Sequence, residues 1–145
     1  IFFSGGGTNS VPQAVSAYTI AKVALIKAAE ALDAEMADIA FSVLGPGWVR
    51  TRIHQEALQA DRAPAHLLNE TRRRLAEDDF NPMTKVLDFI DWIYAMPKSV
   101  VGGRNFSVSG DPVHDPELRT RLEGHPDAYR LRRHLNDTQI LNTHG

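Results

Sequence analysis

Tyr18 and Lys22 stand four residues apart in the stretch 15–37, which is rich in alanine and holds neither glycine nor proline. Such a stretch is predicted to be helical, and that spacing brings both side chains from one helix face to one place. A free phenol, with a pKa of about 10, is a poor acid or base at neutral pH. A neighbouring ammonium favours the phenolate and lowers that pKa. The pair could therefore move a proton on or off an alcohol oxygen. Spacing alone does not single it out, because Tyr94 and Lys98 repeat it with Pro97 between them. The proline breaks the helix, so Tyr94 is expected to be a core or interface aromatic and Lys98 to face solvent.

The other reactive side chains form no comparable set. His54, His66, His114, His125, His134 and His144 never fall as a close ligand pair on one helix face, so no metal site is expected. Arg50, Arg52, His54 and Arg62 cluster in sequence and read as a solvated face, with an anionic or polyhydroxylated substrate as the alternative. Arg72, Arg73 and Arg74 read as the polar face of a helix, and Arg130, Arg132 and Arg133 as solvated in the same way. There is no cysteine, which excludes disulfides and thiolate metal sites.

The elements that must position these groups follow from the hydrophobic pattern. Residues 1–3 read as the end of a buried strand, stopped by Ser4-Gly5-Gly6-Gly7. The helix 15–37 is apolar almost all round, which predicts burial on two sides, one against a sheet and one against a second subunit. Residues 39–44 form a β-rich apolar run ending at Gly45-Pro46-Gly47, as a parallel strand covered on both faces requires. Short helices are expected at 53–60 and 65–77. A third runs from Pro82 to about Tyr94 and is stopped by Pro97. Residues 100–107 read as a further strand, and 116–122 and 126–135 as charged helices. The order argues for crossover units in a parallel α/β sheet. No glycine-rich dinucleotide fingerprint lies between a strand and a helix.

The chain has 145 residues, of which 43% are hydrophobic and 23% charged, with a net charge of -2. That suits one globular domain and gives no electrostatic case for nucleic acid or a membrane surface. No apolar run approaches the roughly 20 residues that span a bilayer. The chain opens inside a strand at Ile1 without methionine, and is read as part of something longer, a processed N-terminus being the alternative.

The segment Ser-Ala-Tyr18-Thr-Ile-Ala-Lys22 resembles the active-site helix of the short-chain dehydrogenase/reductases. Pro46-Gly47-Trp48-Val49-Arg50-Thr51 is similar to that family's P-G-x-V-x-T segment, and Ile-Phe-Phe-Ser4-Gly5-Gly6 to the strand end that delivers its catalytic serine. The resemblance covers residues 1 to about 110. It implies the C-terminal half of a doubly wound, Rossmann-type sheet with a helical substrate lid at 52–81, followed by a helical tail at 111–145. The first four strands and the dinucleotide loop would lie before Ile1.

The resemblance further implies a cytoplasmic oxidoreductase that transfers hydride between NAD or NADP and a small alcohol or carbonyl substrate, and that pairs with a second copy through helix 15–37. Tyr18 would be the acid/base. Lys22 would tune it and bind the ribose. Pro46, Gly47, Val49 and Thr51 would contact the nicotinamide. For Thr51 the alternative is a helix cap, and Trp48 would pack the turn rather than border the substrate. The family's serine position holds Gly5, with Ser4 one residue earlier. Ser4, Thr8 or Ser10 would supply the hydroxyl, or Tyr18 would act alone. The alternative function is a non-catalytic dinucleotide- or partner-binding member, or an inactive fragment.

Overall fold

The computed structural model describes residues 1–6, 8–10, 12–59 and 63–132. Its elements run β1 (Phe2–Phe3), α1 (Ser16–Glu35), β2 (Val43–Gly45), α2 (Arg52–Gln59), α3 (Ala65–Glu77), α4 (Met83–Ala95), α5 (Lys98–Val101), β3 (Asn105–Ser107) and α6 (Leu118–Gly124). The strands form a parallel sheet in the order β1-β2-β3. The chain is therefore α/β. Among the described residues no helix is long and apolar enough to cross a membrane.

The sheet is covered on both faces, and strand alternation decides which side chain serves which layer. Val43 packs with Ile26 and Ala29 of α1, joined by Phe2, Phe41 and Leu131. Leu44 points the other way and joins Phe106 with Val86, Phe89 and Ile93 of α4. Phe89, Trp92 and Phe106 meet as tilted and edge-on aromatic pairs, with ring centroids 5.7–5.9 Å apart. α4 begins where Pro82 caps it and ends before Pro97, as the sequence predicts.

Some expectations change. Val100 and Val101 are buried, but in the short helix α5 rather than a strand, because Pro97 opens a helical turn and only Asn105–Ser107 pair with β2. Residues 126–132 are not helical: the chain turns, Tyr129 adopts a left-handed backbone (φ 61°), and its carbonyl accepts the Asn105 N–H at 2.8 Å. The rest of that predicted helix, 133–135, lies outside the described residues. Within the chain α1 is buried at Ile26 and Ala29, its sheet side, while Ala17, Ile20, Ala21, Ala24, Ala28 and Ala31, on the side expected to meet a second subunit, are exposed. Tyr94 is 75% exposed, which excludes the core and leaves the interface alternative.

Lys98 is not solvent-facing either. Its ammonium donates to the Asp33 carboxylate and to the carbonyls of Asp33, Met36 and Ile39, all within 3.0 Å. One cation thus satisfies the last carbonyls of α1 and favours the negative end of its dipole. Asp33 also accepts the Phe41 N–H at 3.0 Å, so the turn from α1 into β2 is fixed at both ends. Arg104 serves the far end of the fold. It is 2% exposed and donates to the carbonyls of Leu122, His125 and Ala128, closing the C-terminus of α6. Its Nε is buried without a partner, and burial, aided by nearby Arg130, pulls its pKa below the ordinary arginine value.

Replacing Lys98 by methionine keeps the stem and removes the donors. The expected loss is about 2 kcal/mol of unfolding free energy, read by urea denaturation. A midpoint equal to that of the unmodified protein would show that water satisfies those carbonyls equally well.

Candidate active site at the carboxyl ends of the strands

Phe2 and Ser4 turn their N–H groups to β2, donating to the carbonyls of Ser42 and Leu44 at 2.9 and 3.0 Å. The intervening Phe3 carbonyl therefore points away from the sheet's interior. Lys22, one turn into α1 beyond Tyr18, donates to that oxygen at 2.9 Å. Its ammonium also lies 5.8 Å from the centre of the Tyr18 ring. The structure thus brings Tyr18, Lys22 and the end of β1 together, with Tyr18 47% exposed.

Gly5 completes this group. A Cβ on Gly5 would overlap the Tyr18 hydroxyl, so the phenol occupies the space that a side chain at position 5 would need. Ser4 is nearly buried and donates to Asn105 Oδ1 at 3.0 Å, reaching across β2 above Gly45, whose missing side chain leaves the room. No hydrogen bond joins the Ser4 hydroxyl to Tyr18. Ser4, Thr8 and Ser10 instead line a cleft of about 440 Å³ at the ends of the three strands.

The Pro46–Thr51 segment leaves β2 and is clamped by Asn81. The Asn81 amide donates to the Pro46 carbonyl and to Ser109 Oγ, both at 2.8 Å, and its backbone N–H donates to the Trp48 carbonyl at 2.7 Å. Gly47 has φ 70°, and a side chain there would strike the Asn81 amide. Val49 is buried and bridges to Asn81, and its carbonyl lies 2.8 Å from His54 Nε2. Thr51 is exposed at the start of α2, where its backbone carbonyl accepts the His54 N–H at 3.3 Å. Trp48 packs the turn: it stacks on His54 at 5.0 Å and carries the Arg74 guanidinium 4.8 Å from its ring. Asn81 was not singled out from sequence. The available signal is its place immediately before the helix-opening Pro82.

The residues expected to form a lid hold helices α2 and α3, which meet Trp48 through His54 and Arg74, while ion pairs knit the end of α3 to the turn after it. Arg73 and Arg74 both reach Glu70 and Asp79, and their hydrogen bonds hold Glu70 at about 2, well below its ordinary value. Arg72 and Arg73 are exposed, as a polar helix face requires, but Arg74 turns inward to Trp48. Arg50 pairs with Asp78 at 2.7 Å. Arg52 is exposed on α2, and Arg62 lies outside the described residues.

Opposite Ser4, the same cleft is lined by Asp111, Tyr129 and Arg130. The Asp111 carboxylate accepts the Ser107 N–H at 2.7 Å. Burial nevertheless raises its pKa above the ordinary aspartate value, and burial followed by the Asp111 charge raises that of Tyr129. No protein-family model matches this chain, and no curated protein or solved structure matches it significantly.

Two measurements check this geometry. Gly5→Ala should displace the Tyr18 ring at little cost in stability, because the half-exposed phenol can swing outward. The nuclear Overhauser contacts of the Tyr18 ring should then change; an unchanged set would show that the phenol does not fill the space beside residue 5. Asp111 costs stability when charged, and that cost grows as pH rises from its unfolded value, about 4, through its raised folded value. Asp111→Asn should therefore raise the melting temperature at neutral pH, with the gain shrinking in acid. A gain independent of pH would refute this account of Asp111.

Proposed function

We propose that the chain is the C-terminal half of a short-chain dehydrogenase/reductase that interconverts an alcohol and a carbonyl using NAD or NADP. The observation that carries this reading is the grouping of Tyr18, Lys22 and the end of β1, followed by the clamped Pro46–Thr51 turn after β2. The donor set fits a nicotinamide ribose and carboxamide. Lys22 offers an ammonium at the helix start, while Gly47 and Thr51 are exposed on a turn held rigid from below. Lys22 would hold the ribose, and Pro46, Gly47, Val49 and Thr51 the carboxamide end. Bound there, the cofactor would supply or accept the hydride.

The remaining chemistry belongs to the chain. Tyr18, half in solvent, gives its phenolic proton to a carbonyl oxygen or takes one from an alcohol. With the Ser4 hydroxyl given to Asn105, Tyr18 polarises the substrate oxygen alone or with Thr8 or Ser10 of the same cleft. Helices α2 and α3, fastened by Trp48 and Arg74, cover the substrate side. The exposed alanine stripe of α1 supports pairing with a second copy. The engagement of Ser4 by Asn105 favours a second reading, a dinucleotide-binding member without turnover.

In the complete protein, Tyr18→Phe should lower turnover roughly a hundred- to ten-thousand-fold while NADH or NADPH binding, followed by fluorescence titration, stays within about twofold, since the phenyl ring keeps its packing. Undiminished turnover would sink the assignment. Dinucleotide binding without reduction of any member of a broad carbonyl panel would establish the second reading.

A further inference from the structure

The cleft at the carboxyl ends of β1, β2 and β3 carries chemistry that Tyr18 and Lys22 do not use. In open parallel sheets, ligands bind beyond the carboxyl ends of the strands, and about 440 Å³ lies within the range of small-molecule pockets. Its polar lining is mixed. Asn105 accepts the Ser4 hydroxyl through its side-chain oxygen, which leaves its amino group as a donor. Asp111 is an acceptor, steadied by the Ser107 N–H, and it shares the lining with Tyr129. Tyr129 itself is held with φ 61°, a conformation that an aromatic residue adopts only under constraint. The constraint is visible: its carbonyl takes the Asn105 N–H, and its ring packs edge-on against Phe106 at 5.5 Å. Such residues concentrate at ligand clamps.

Charge narrows the ligand. Asp111 repels an anion, and Arg130 has one terminal nitrogen committed to the Gly102 carbonyl while its guanidinium lies against Gly103. With its Nε buried and one terminal nitrogen already bonded, Arg130, the cation among the described lining residues, presents only part of the fork that carboxylate and phosphate ions favour. Several hydroxyl and amide groups, one carboxylate acceptor and an aromatic ring instead match a molecule carrying many hydroxyls. We propose that this cleft binds a small uncharged polyhydroxylated molecule of monosaccharide size, gripped by Asp111, Asn105 and Tyr129. The site stands on the cleft alone and is independent of the redox reading of Tyr18.

The test is a nuclear magnetic resonance titration of the isotopically labelled protein with myo-inositol and with D-glucose, and separately with inorganic phosphate. At least one polyol should give saturable shifts at the backbone amides of Asn105, Ser107 and Tyr129, and phosphate should give none. Asp111→Asn should weaken that binding about tenfold, the loss of one charge-assisted hydrogen bond. Tyr129→Asn should weaken it similarly, asparagine being a residue that tolerates the left-handed backbone. If Tyr129→Asn does not fold, Asp111→Asn decides alone. Absence of saturable shifts with both polyols, saturation by phosphate, or full affinity in Asp111→Asn would each overturn the proposal.

Discussion

Successive side chains of a strand point to opposite faces, and in strands of two or three residues this alternation assigns almost every important group. Val43 goes to α1 and Leu44 to α4, so one dipeptide anchors both layers. Phe2 follows Val43 in register, and Ser4 shares its side of the sheet. That is why the Ser4 hydroxyl ends beside Asn105. A shift of one residue in β1 would exchange Phe3 for Ser4 and take the polar group out of the cleft.

Missing side chains matter as much as those present. Gly45 opens a gap through which Ser4 reaches β3, and Gly5 leaves the space that the Tyr18 phenol fills. Gly47 allows the turn after β2 to lie against Asn81. At all three places a methyl group would press on a polar contact of the candidate site.

Local pattern reveals only part of this. α1 and α4 are legible because their interiors lack glycine and proline and proline punctuates α4. β2 is legible as an apolar run, although only its end pairs, Ile39 and Ala40 remaining exposed. Val100 and Val101 mislead because β-branched residues favour strands, whereas here the turn opened by Pro97 prevails. The Tyr18–Lys22 pair and the Pro46–Thr51 turn stand out only through the resemblance of the segments that carry them, since Tyr94 and Lys98 repeat the same spacing. The roles of Lys98, Arg104, Asn81 and Asp111 cannot be read from local pattern, since most of their partners lie far away in sequence. A lysine bonded to three carbonyls and a carboxylate has the same sequence signature as one in water.

The bond from Lys22 to the outward Phe3 carbonyl also bears on association between chains. A strand edge with free backbone groups is a template on which another extended chain can grow. Here the outward Phe3 oxygen already carries an ammonium group. An incoming strand must displace a charged donor to gain one hydrogen bond. The lysine thus makes indiscriminate edge-to-edge aggregation unprofitable, while leaving the edge open to a partner that contacts more than the backbone.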